Sequence, residues 1–302
     1  MSLNLLSAAL LPLLASLPLA VGQDAGNQAS EVDLVTIGID RSARMTVPVR
    51  VLEKGPFNFL IDTGAQNTVL SRGLANELLL VPTARARLIG IAGSQDVDTV
   101  NIDQIDLGRR SFYNLLAPLL ERGNIGADGI LGLDSLQGQR VLIDFRAQAM
   151  TIGDAASLGG NRGFEIVITA RRRSGQLIMT NAVIDGVKVD VVIDTGAETS
   201  IGNLPLQRAL SRRHSNDTTT LYSVTGQQMQ ADMGFASSLV IDKVSLNNVL
   251  IAYADSPAFA ALGLGTKPAM LLGMRDLRSF DRVAIDFGTR KILFDAPKGV
   301  LY

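Results

Sequence analysis

A chain of 302 residues, 47% hydrophobic and 19% charged, is long enough for about two domains with a core each. Its net charge of −1 argues against nucleic acid as a partner, because phosphate binding needs a basic surface. With no Cys, it has no disulfides, thiolate catalysis or Cys-based zinc site; its single His, His214, has no G-x-S-x-G elbow to serve and reads as an exposed loop residue.

Residues 1–22 read as a signal peptide. Positions 3–21 are almost wholly apolar, interrupted by Pro12 and Pro18, and Ala20-Val21-Gly22 ends the run with small residues, making Gln23 the expected mature start. Export to the periplasm or secretion follows; an uncleaved membrane anchor is the alternative, since the run is just long enough. The absence of Cys excludes a lipid-modified N-terminus.

The mature chain carries strand signals. Met45–Val51 alternates apolar and polar residues, and 182–190 does the same around the two-residue turn Asp185-Gly186. Short helices are expected over 71–80 and 204–212. Glycine-tipped hairpins are expected over 87–101 and 218–233. Gly153, Gly159, Gly160 and Gly163 mark a linker over 153–163, separating halves at 33–152 and 164–297. Arg171-Arg172-Arg173 and Arg212-Arg213 read as solvated loop charge.

The halves repeat each other. Phe59-Leu60-Ile61-Asp62-Thr63-Gly64-Ala65 is answered by Val191-Val192-Ile193-Asp194-Thr195-Gly196-Ala197, with the aspartates 132 residues apart (194 − 62). Ile130-Leu131-Gly132-Leu133 then matches Leu271-Leu272-Gly273-Met274, and Val141-Leu142-Ile143-Asp144-Phe145 matches Val283-Ala284-Ile285-Asp286-Phe287. Order is kept while the spacing drifts by about ten residues, as loop insertions produce. So long a period is a domain duplication. One Asp-Thr-Gly is ordinary turn chemistry. Two copies in matching positions let a pseudo-two-fold axis bring two carboxylates together, which acid–base cleavage of an amide needs. Asp144 and Asp286 lack the Thr-Gly turn and are assigned to loop capping. Asp134 has Arg275 in its place in the second half, which argues against a second catalytic set.

These residues resemble the aspartic proteases, and Ala after each Gly resembles the retropepsin-like group with two fused repeats more than pepsin. The resemblance covers about residues 33 to 297. It implies a mostly β, bilobal acid-protease fold, with two pseudo-symmetric β-barrel-like lobes and a cleft between them. It implies an aspartic endopeptidase in which Asp62 and Asp194 activate water. Thr63, Gly64, Ala65, Thr195, Gly196 and Ala197 would support the dyad loops, and Gly132 and Gly273 would allow strands to pass close behind them. Ile89, Gly90, Ile91 and Gly93, with Ser223 and Gly226, would form flaps over the substrate. The expected partner is a polypeptide in extended conformation bound by a monomer, without metal, cofactor or nucleic acid. The alternative is a catalytically silent peptide-binding or regulatory module on the same fold.

Overall fold

Alternation writes the strand Met45–Val51. In Met45–Val51 the side chains of Val47, Val49 and Val51 are fully buried while Pro48 and Arg50 face solvent. Each such Val contributes about 1.5–3 kcal/mol on leaving water, so a one-residue slip in register is strongly disfavoured. The computed structural model describes residues 33–36, 38–39, 45–210 and 214–295. Residues 1–22, expected to be a signal peptide, and the pair Arg212-Arg213 lie outside the described residues.

Each half folds into an eight-stranded sheet curled on itself. The first runs, in spatial order, Gly38–Ile39, Met45–Val51, Lys54–Ile61, Gly129–Leu131, Val69–Ser71, Arg110–Leu120, Gly93–Leu107, Ala84–Gly90. It closes where Arg50 and Val51 pair with Asp106 and Ile105. The second runs Arg171–Arg173, Gln176–Ile184, Val187–Ile193, Ala269–Leu272, Ser200–Gly202, Val244–Tyr253, Gln228–Ile241, His214–Tyr222, and closes where Val183 and Ile184 pair with Val240 and Leu239. The chain is therefore mostly β and built of two equivalent lobes.

A third sheet joins the lobes. Its six strands come three from each half: Asp33–Thr36, Ala149–Gly153 and Arg140–Asp144, then Arg282–Asp286, Lys291–Asp295 and Ile166–Thr169. At its centre Leu142 lies opposite Ala284, with Val141, Ile143, Val283 and Ile285 buried beside them. A shared sheet of this kind fixes the relative placement of the lobes by main-chain hydrogen bonds as well as by side-chain packing.

Two helices fall where expected but shorter. Arg72–Glu77 is capped by the Ser71 hydroxyl, which accepts from Leu74 N at 3.2 Å, and it stops before Leu79, whose φ is 60°. Leu204–Ala209 is capped by Asn203, which accepts from Leu206 N at 2.9 Å. One expectation is corrected. Arg171–Arg173 is an exposed edge strand, not a loop, because the residues Ser174 and Gly175 take positive φ (47° and 82°) and fold it back onto Gln176–Ile178.

Candidate active site

Each Asp-Thr-Gly loop hangs from a strand pair. Lys54–Ile61 runs parallel to Gly129–Leu131, and Asp62 N continues that ladder by donating to Leu131 O at 3.1 Å. Val187–Ile193 does the same against Ala269–Leu272, with Asp194 N donating to Leu272 O at 3.0 Å. The loop then turns and is tied from behind, since Leu133 N donates to Ala65 O (2.9 Å) and Met274 N to Ala197 O (2.8 Å). The crossing is tight. A Cβ on Gly132 would strike the Asn67 carbonyl, and one on Gly273 would lie 2.8 Å from Thr199 C. Backbone cannot yield as a side-chain tip can, so glycine is required at both places.

The two loops grip each other. Thr63 N donates to Thr195 Oγ1 at 3.0 Å and Thr195 N to Thr63 Oγ1 at 3.2 Å. Each hydroxyl then reaches across to the strand end of the other lobe, Thr63 to Ile193 O (2.8 Å) and Thr195 to Ile61 O (2.7 Å). Both threonines are buried, so every polar atom in this exchange is satisfied by the opposite half.

That grip sets the carboxylates face to face at the half-buried floor of the cleft. Gly64 N and Ala65 N donate to Asp62 Oδ1 at 2.7 and 3.1 Å, and Gly196 N donates to Asp194 Oδ1 at 3.0 Å. A Cβ on Gly64 would sit 2.7 Å from Asp194 Oδ1 and 3.0 Å from Asp62 Oδ1, and one on Gly196 would strike the Asp62 carboxylate. Burial first, and then the charge of Asp62, push the Asp194 carboxyl well above the usual carboxylate range, against the pull of the Gly196 and Ala197 N–H groups. Two carboxylates so placed hold one proton between them, because two like charges this close resist being ionised together.

Behind each loop a hydroxyl–carboxylate pair braces the strand crossing. Thr68 Oγ1 donates to Asp134 Oδ1 (2.7 Å), Thr68 N donates to both Asp134 oxygens (2.9 Å each), and Gly132 N donates to Thr68 Oγ1 (3.2 Å). In the second lobe Ser200 Oγ donates to Asp276 Oδ2 and accepts from Gly273 N (3.0 Å). Asp276, one place after Arg275, thus does the work of Asp134, so the apparent asymmetry at Arg275 is a shift of one residue. Asp144 and Asp286 accept from Ala147 N and Thr289 N at 2.8 Å each, which is turn capping.

The hairpins Ala84–Gly90/Gly93–Leu107 and His214–Tyr222/Gln228–Ile241 meet at their tips and cross. Ile91 packs on the second lobe against the cluster that holds Val192, Phe259, Leu262 and Leu271, and Val224 packs on the first lobe against the cluster of Leu60, Leu120, Ile125 and Ile130. Ser223 lies against Gly90, where a Cβ would strike its hydroxyl, and a Cβ on Gly93 would lie 2.7 Å from Gln227 Oε1. Gly226 takes φ 83° in the second tip, and Ile89 is half exposed on the first. Sequence reasoning missed Gln227 and, nearer the carboxylates, Gln176, which donates to Gly64 O at 2.8 Å. A polar residue heading the apolar run Leu177-Ile178-Met179 was the one available signal.

Among the described residues no group of three or more His, Asp or Glu is placed to hold a metal ion, and no helix is long and apolar enough to cross a membrane. A family model described as aspartyl protease matches residues 47–135 and 180–275, more than half of the chain and one stretch in each lobe. The chain belongs to the aspartyl protease family. No curated protein matches it in sequence.

Proposed function

We propose that this chain is an aspartic endopeptidase that hydrolyses peptide bonds with water activated between Asp62 and Asp194. The observation that carries this reading is the reciprocal threonine grip, which holds one Asp-Thr-Gly-Ala loop from each lobe face to face. Asp62, ionised, takes a proton from the water as its oxygen attacks the scissile carbonyl, and protonated Asp194 donates to the carbonyl oxygen. The neutral diol then collapses. Asp62 gives its proton to the leaving nitrogen, the C–N bond breaks, and a diol hydroxyl returns a proton to Asp194. The substrate lies extended beneath the crossed hairpins, with apolar walls from both lobes to receive its side chains. Hydrolysis of an unstructured protein by the purified mature chain, with the Asp62→Asn variant as control, tests the reading.

Because both half-sites lie in one chain, a monomer is active. Specific activity should stay constant on dilution, unlike that of a protease assembled from two chains. Loss of specific activity with a dimer-like concentration dependence overturns this. Export to the periplasm or secretion rests on the leader 1–22, and an uncleaved anchor is the alternative.

Ala65 and Ala197 set the working pH. A Ser there would offer a hydroxyl to the ionised carboxylate in addition to its backbone N–H, whereas the methyl side chain of Ala has nothing to donate. The pair is active with one proton, so a tighter hold on that proton carries the alkaline limb of the profile toward neutral pH, in the direction in which Asp194 is shifted. The double variant Ala65→Ser/Ala197→Ser is expected to move the optimum to lower pH. An optimum that stays or rises refutes the hydrogen-bond argument.

A further inference from the structure

We infer that Gln176 is a positioning residue for Asp62: from the second lobe it fixes the Gly64–Ala65 peptide that binds the Asp62 carboxylate, and so makes Asp62 the ionised member of the pair. This rests on the endopeptidase reading above.

Gln176 is only 1% exposed and opens the strand Gln176–Ile184 directly after the turn at Ser174 and Gly175. That turn is seated on the first lobe. A Cβ on Gly175 would lie 3.1 Å from Leu133 Cδ1, and the Arg172 guanidinium donates to Gln137 Oε1 beside it. From this seat Gln176 Nε2 donates to Gly64 O at 2.8 Å. The Gly64 carbonyl belongs to the same peptide unit as Ala65 N, which donates to Asp62 Oδ1 at 3.1 Å, and Gly64 N donates to that same oxygen. A hydrogen bond accepted by the carbonyl polarises the peptide and makes its N–H a stronger donor. Donors to a carboxylate favour its charged form. The relay therefore runs amide to peptide to carboxylate, and its first member comes from the opposite lobe.

Asp194 is the titratable group that faces Asp62. On the elements packed around them, Asp134 is held by Thr68, Asp276 by Ser200, and Glu198 by Arg278 (3.0 Å), with Arg275 near Asp276. On the hairpin of Gln176, Arg172 turns to Gln137, Arg173 donates to Gly263 O at 3.1 Å, and Arg171 lies near Asp190.

The test compares wild type with Gln176→Leu and Gln176→Met, the second keeping an unbranched side chain in case Leu packs poorly. Two readouts are used: the pH–rate profile on a peptide substrate, and carbon-13 NMR titration of the Asp62 carboxyl, assigned with Asp62→Asn. The expected result is a kcat lowered about three- to tenfold with KM little changed, as the loss of one hydrogen bond gives. The acidic limb of the profile and the Asp62 titration should both move to higher pH. Variants that merely melt earlier, with the acidic limb and the Asp62 titration unmoved, overturn the inference. Should wild type hydrolyse nothing, the endopeptidase reading fails, and the NMR titration, which needs no turnover, still decides on Gln176.

Discussion

Asp62→Asn and Asp194→Asn should each lose about 10⁴-fold or more of peptide hydrolysis, because a catalytic unit fails as a whole when either member is removed. An amide in place of either carboxyl leaves the pair unable both to take a proton from water and to protonate the carbonyl oxygen. The fold should survive, and Asp194→Asn should melt higher than wild type near neutral pH. The Asp194 carboxyl is raised in the folded protein, so folding favours its protonated form, and its ionisation costs stability at pH above its unfolded value. That cost is absent in strong acid, grows as the pH climbs toward the folded value and is constant above it. The gap in Tm should therefore widen from about pH 4 upward. Retained hydrolysis in either variant sinks the shared-pair mechanism, and a Tm gap independent of pH sinks the account of Asp194.

The second large effect lies under the cleft, in the sheet that joins the lobes. Arg140 and Asp286 face each other across its central strand pair at 1% and 2% exposure, with Arg140 Nη2 2.7 Å and Nε 3.2 Å from Asp286 Oδ2. Arg140 also donates to Gly160 O and to Asn161 Oδ1 (3.2 Å), which ties the turn-rich connection between the lobes to the same point. Burial pushes the Asp286 carboxyl up, but the Thr289 and Arg140 hydrogen bonds outweigh it and hold the carboxyl below its ordinary value. Removing one partner of a buried pair costs about 3–5 kcal/mol, since the other charge is left buried and unmatched. Arg140→Met and Asp286→Leu should each lower Tm by roughly 10 °C, as that cost converts for a chain of this size. The double variant should recover most of the loss. A carboxyl with a lowered folded pKa stabilises above its unfolded pKa and loses that contribution as pH falls through the folded value. The deficit of Arg140→Met should accordingly be full near neutral pH and shrink in acid. A single variant that melts with wild type, measured by calorimetry at neutral pH, rules this out.

The sequence by itself determined the parts whose information is local or repeated. Strand identity in Met45–Val51 follows from a period of two, the turn at Asp185-Gly186 from the residue types that accept positive φ, and the candidate dyad from a five-residue motif written twice. Gly132 and Gly273 could be named from the repeated apolar-apolar-Gly stretch and the family resemblance, and the structure shows the close backbone approach that requires glycine there. Tertiary structure decided whatever depends on which residues of one lobe meet the other. No local pattern says that Gln176 finds Gly64 O, 112 residues away, or that Arg140 finds Asp286, 146 residues away. Nor does one say that Ile91 and Val224 each pack on the opposite lobe. Asp276 stands in for Asp134 from a position one residue along, because a carboxylate needs only to reach the hydroxyl, and the helix after Gly273 presents it there. Arg171–Arg173 became a strand against its poor strand-forming composition because the Ser174–Gly175 turn folded it onto an existing edge, where main-chain pairing outweighs side-chain preference.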